Sequence, residues 1–225
     1  MKLRLHKAIF MATLFVFNTA IAKTVNGDLN LDHANLDHVT VNGNAKLTDS
    51  KFQSLHVHGH LKFSQVGIAD TLVVNGSAEG NGLRCRSAKI DGALEVDKFT
   101  AEKAHISGAF IGNDTIIHQN MTVDGELDGR HMTVDGQAIV HGKLNLENSD
   151  FHTIEVSSDY CLLQNTRATH IIFKHMKSGR VQKLILNGQT IISGDIDFET
   201  GSGEVILDQQ AVIKGKITGG KIIPR

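Results

Sequence analysis

Three histidines at alternate positions are the first residues with chemical potential. In the stretch Leu55-His56-Val57-His58-Gly59-His60-Leu61 the imidazoles sit two residues apart. A zinc or copper ion needs two or three imidazoles converging on it, with further groups orienting the rings. Outward neighbours on one strand can chelate in this way, so His56, His58 and His60 are the candidate metal ligands. The competing reading makes them polar positions of an ordinary strand. The second candidate set is Asp124, Asp128, Arg130 and Asp135, in the run "VDGELDGRHMTVDG". Cleavage of a glycosidic bond uses two carboxyl groups at a set separation, so these four would be the catalytic set of a carbohydrate-active enzyme, a polysaccharide lyase or hydrolase. Aspartate beside glycine is also ordinary turn chemistry. The chain has no tryptophan and one tyrosine, so it lacks the aromatic platforms on which sugars often stack.

These residues are placed by a repeat. Val or Ile, any residue, then Gly recurs with glycines at 27, 43, 59, 76, 92, 108, 125 and 142. The spacing is 16 or 17 throughout. Two residues after each glycine come Leu29, Ala45, Leu61, Ala78, Leu94, Phe110, Leu127 and Leu144. Alternation of period two means strands with one buried face. A unit this short cannot bury that face alone, but stacked units can. The predicted fold is all-β, a parallel β-helix (β-solenoid) of about twelve coils, roughly 55–60 Å long at the strand spacing. The glycines are expected to supply a bend or a left-handed conformation at a corner. His58, Asp124 and His141 then fall in one outward polar slot, also held by Asn26, Asn42, Asn75, Asp91 and Ser107.

The repeat is regular over 23–158 and less so over 159–225. Segments 159–168 and 175–182 read as loops. Leu186-Asn187-Gly188, Ile206-Leu207-Asp208 and Ile213-Lys214-Gly215 read as continuing the glycine rungs. Cys85 and Cys161 are 76 residues apart. Four to five coils would separate them by about 20 Å, beyond the reach of a disulfide. Two free thiols are expected, buried as small apolar groups; a bond between chains is the alternative.

Lys2, Arg4 and Lys7, the apolar run Ala8–Phe17 and the small residues Ala20 and Ala22 have the layout of a cleavable export signal. Cleavage after Ala22 would leave a single solenoid domain, 23–225, in the periplasm or outside the cell, with no membrane span. Its 20 basic against 24 acidic residues make it mildly acidic, without the basic face that nucleic acid requires. No cofactor is implied.

The two ends differ in charge. Asp28, Asp32 and Asp37 make the first acidic, whereas Lys214, Lys216 and Lys221 make the last basic. No capping helix is evident at either end. Opposite charge on uncapped ends favours head-to-tail contact between copies, and these six residues are the candidate self-assembly set. The partners expected are therefore the chain itself or a component of the cell envelope.

The coil length, the V/I-x-G-x-L/I rungs and the closing "VIKGKITGGKII" resemble the bactofilins, bacterial polymer-forming β-helix proteins. The resemblance implies end-to-end polymerisation without nucleotide and a scaffold role. Bactofilins are typically cytoplasmic with proline-bearing tails, from which this chain departs. Exported adhesins are the matching comparison on that side. The expected function is thus structural or adhesive and not catalytic, with the carbohydrate-active enzyme and the metal-binding protein as alternatives.

Overall fold

Position by position, the repeat becomes columns of stacked side chains. The computed structural model describes residues 22–176 and 179–223. Among them all 23 strands join one ladder, and the strands pair in parallel throughout. No helix is present among the described residues. The architecture is the expected parallel β-solenoid of about twelve turns.

One inward column defines the coils. It runs Leu29, Ala45, Leu61, Ala78, Leu94, Phe110, Leu127, Leu144, Cys161, Leu184, Val205, Ile222. These are coils 1 to 12. A second column carries Val25, Val41, Val57, Val74, Ile90, Ile106, Val123, Val140 and Val156, and then Phe173 and Phe198. Each coil is three runs of in-out alternation, and the stacked runs form three faces. Strands such as Leu29–Asp32 and Ala45–Thr48 build the first face. The second and third are built by the two halves of strands such as Asn35–Val41 and Lys51–Val57.

The repeat glycines sit at bends, as expected, but the left-handed alternative fails for all except one. Of the eight repeat glycines, only Gly27 has a positive φ. The others are glycine because the backbones touch. A Cβ on Gly43, Gly59, Gly92, Gly108, Gly125 or Gly142 would lie 2.3–2.7 Å from the glycine stacked beside it or from an adjoining side chain. The left-handed residues form another column, six positions on: His33, Asp49, Gln65, Gly82, Lys98, Asp114, His131, Asn148, Asn165 and Gly188. Most carry side chains despite the usual cost of that conformation, and this corner turns the first face into the second.

Residues of the interior compensate in size. Gly80 makes room for the Phe63 ring, Gly112 for Phe110 and Gly129 for Met132. Ser50, Ser149, Thr166 and Thr190 are buried polar residues in one column beside the left-handed corner. Each hydroxyl donates to a carbonyl of its own coil: Thr48, Glu147, Gln164 and Asn187 respectively. Each also accepts an amide from the preceding coil: Ala34, Met132, Ser149 and Thr166. Burial without such partners would be costly.

The C-terminal register departs from the sequence reading. Segment 159–168 is not a loop: it contains Tyr160–Gln164 and opens the strand Arg167–Phe173. The described part of 175–182 does lie outside strands, and here the coil lengthens so that Cys161 pairs with Leu184. Leu186 and Leu207 stack beneath one another on the first face, and Ile213 sits on Ile192 of the second. None of Leu186-Asn187-Gly188, Ile206-Leu207-Asp208 and Ile213-Lys214-Gly215 therefore belongs to the Val-x-Gly column, which continues through Phe173 and Phe198 because extra residues shift the frame. Cys85 and Cys161 are both free and buried, as expected. The export segment, residues 1–22, lies outside the described residues except for Ala22.

Candidate functional site

The three histidines of the opening stretch do not converge. His56 and His58 face each other with ring centroids 4.3 Å apart, tilted by 32°. The side-chain amide of Asn75, one coil on, donates to Nδ1 of His58 at 3.0 Å. His60 lies beyond the Gly59 corner, with Nε2 3.5 Å from a Glu79 carboxylate oxygen. Among the described residues, Asp32, His33 and Asp49 form the one group of three ligand types with atoms all within 4.8 Å of one another. All three are exposed, and both His33 ring nitrogens already face carboxylates, at 2.8 and 4.0 Å. The geometry is that of a surface ion pair.

The four candidate catalytic residues are divided between two corners and the first face. Asp124 follows the Val-x-Gly column and lies between His141 Nδ1 at 2.8 Å and His105 Nε2 at 3.6 Å. Ser107 Oγ is 3.4 Å from the same His105 Nε2. A relay from serine to aspartate would have to use opposite ring nitrogens, so this trio is not a nucleophilic triad. Asp135 pairs with His118 at the corner between the second and third faces. Asp128 and Arg130 alone share a surface, a groove on the first face with Lys62, Glu79, Glu95 and Asp97. Arg130 is paired with Glu147 at 3.3 Å and Asp128 accepts from Asn145. Lys62 hydrogen-bonds Glu79 and holds its carboxyl below the ordinary range. A general acid needs the opposite shift.

Polar side chains instead run as ladders along the rod. On the left-handed corner Gln65 donates to Asn81, Asn81 to one oxygen of Asp97 and Asn113 to the other, at 3.0, 2.6 and 2.8 Å. His131 Nδ1 continues it to Asn113 at 3.2 Å. Elsewhere Asp28 accepts from the amide of Asn44, and Asn44 from the amide of His60. The polar slots thus tie coil to coil.

The termini of the ladder are the remaining candidate. At one end Lys23–Val25 pairs only with Val39–Val41, and Leu29–Asp32 only with Ala45–Thr48, among the described residues. At the other, Gly220–Ile223 pairs only with Gly203–Ile206, and Ile217–Thr218 only with Ile196–Asp197. Ile222 belongs to the inward column yet is 52% exposed, since among the described residues no coil stacks on it. Lys214, Lys216 and Lys221 are all exposed at this end. Counting through the register, Lys221 lies in the column that Asp28 begins, and Lys214 in the column that Asp37 begins. Lys216 falls in the column of His38. Asp32 heads a column of its own and pairs with His33.

No family model, no curated protein and no solved structure matches the chain.

Proposed function

We propose that this chain is a structural β-solenoid that associates with itself end to end and displays a long polar surface, exported to the periplasm or beyond. The observation that carries the reading is the pair of ladder ends that have no further partner strand among the described residues. Unpaired strand edges are templates for another chain, and an inward isoleucine left half exposed is apolar surface to be covered. A second copy can follow on two faces at once. Its Lys23–Val25 would pair over Ile217–Thr218 and its Leu29–Asp32 over Gly220–Ile223, setting its Asp28 beside Lys221. On the second face one rung would be missing between Ile213 and the next Leu36, among the described residues. Such a contact is heterologous and propagates. The resemblance to bactofilins supports the same reading, and an adhesin-like surface is compatible with it.

The test is light scattering with negative-stain microscopy at low and high salt. Rod-wide filaments that disperse in high salt are expected. Lys221→Asp should block them, and adding Asp28→Lys should restore them. A monodisperse monomer at every salt concentration would overturn the proposal.

A further inference from the structure

The outer side of the first face changes character along the rod. Its central outward column reads Asn30, Lys46, Lys62, Glu79, Glu95, Ile111, Asp128 and Asn145 over coils 1 to 8. From coil 9 it becomes Leu162, Ile185, Ile206 and Ile223, aliphatic to the end. In the coil 10 strand the alternation is clear: Lys183, Ile185 and Asn187 point outward while Leu184 and Leu186 are buried. Outward positions of a solvated sheet are ordinarily polar, so these four stacked, half-buried aliphatics form an apolar stripe on the outer side of the sheet.

We infer that this stripe, Leu162, Ile185, Ile206 and Ile223, packs against the same stripe of a second copy, with the two rods antiparallel. The charges beside it select that occupant and direction. One rim carries Tyr160, Lys183, Glu204 and Lys221, and the other Gln164, Asn187 and Asp208. A two-fold axis across the rods, between coils 10 and 11, places Lys183 opposite Glu204 of the second copy and Glu204 opposite its Lys183. The same axis places Tyr160 opposite Lys221. Parallel rods would instead set Glu204 against Asp208, like charge on like, which costs specificity and affinity. Lys183 and Glu204 lie 3.9 Å apart within one chain, so the antiparallel pair forms a square of alternating charge along one rim of the aliphatic stripe. Four coils by one face cover about 300 Å² of each copy, less than half the roughly 800 Å² of a stable interface. A single pair is weak, and pairing strengthens when stripes repeat along a filament.

This inference adds to the end-to-end reading without depending on it. Sedimentation of the purified chain against concentration should show reversible side-by-side pairs. Ile185→Lys and Ile206→Lys, both outward substitutions, should weaken pairing at least tenfold with melting temperature unchanged. Lys183→Glu should weaken it, and Lys183→Glu with Glu204→Lys should restore it. Pairing untouched by Ile185→Lys, or strengthened by Glu204→Lys alone, would overturn the antiparallel stripe. Microscopy separates the two contacts: filaments only one rod wide sink the lateral contact, and paired rods that never lengthen sink the end contact.

Discussion

Gly76 stacks on Gly59 so closely that a Cβ on Gly76 would lie 2.4 Å from the Gly59 carbonyl oxygen. Seven repeat glycines share this relation, from Gly43 to Gly142. The corner is a place where main chain lies on main chain, and the stack has no slack there.

Gly76→Ala should therefore destabilise the fold by about 2 kcal/mol or more, in the range of overpacking. Gly67 is the control: a Cβ there meets only Lys51 Cγ, at 3.9 Å, and its φ is not left-handed. Gly67→Ala should shift stability by less than about 0.5 kcal/mol. Thermal melting of the two variants makes the comparison. Equal melting temperatures would remove the close-approach account.

Two buried threonines should respond oppositely to valine. Thr166 Oγ1 donates to Gln164 and accepts from Ser149, so Thr166→Val should cost about 1–3 kcal/mol. Thr115 Oγ1 is buried without a partner. Thr115→Val should be neutral or stabilise by about 1 kcal/mol. Urea unfolding midpoints test both.

Burial pushes the Cys85 thiol up to about 12, and it pushes Cys161 up as well. The reactive form is the thiolate, so neither should react with iodoacetamide at pH 8 in the folded chain. Both should react after denaturation in guanidinium. Mass spectrometry counts the adducts, and rapid labelling of the native chain would contradict the burial.

Glu199 accepts from Lys174 and from the His175 amide, and these hold its carboxyl below the ordinary range. A lowered carboxyl contributes stability above its unfolded value and loses it as pH falls through the folded one. The pair is on the surface, so the increment is small. Glu199→Gln should lower the melting temperature slightly at pH 7 and leave it unchanged at pH 3. A gap that widens in acid would reverse the sign and refute the linkage.

The architecture was legible because alternation and glycine spacing survive through Gly142. The purpose of the glycines was not. A glycine needed for close approach and one needed for a left-handed turn look alike in a sequence, and only neighbouring coils distinguish them. The left-handed column stayed hidden because His33, Gln65, Lys98 and Asp114 share no residue type. Register was lost where inserted residues lengthen the coils after Phe173. That shift misplaced Leu186-Asn187-Gly188 and kept the outward stripe through Ile185 from showing in the sequence. The histidines and aspartates were correctly seen as outward slots. Their separation on different corners depends on where each coil bends, which the period alone does not specify.

The parallel ladder also has a mechanical consequence. Every hydrogen bond between coils lies along the rod, so a pull on the two ends loads the terminal coil first. Coils of 16 or 17 residues should peel away singly, each releasing roughly 55 Å of extended chain. The molecule would yield under tension like an unwinding spring, by repeated small steps, and would rewind from whatever coils remained.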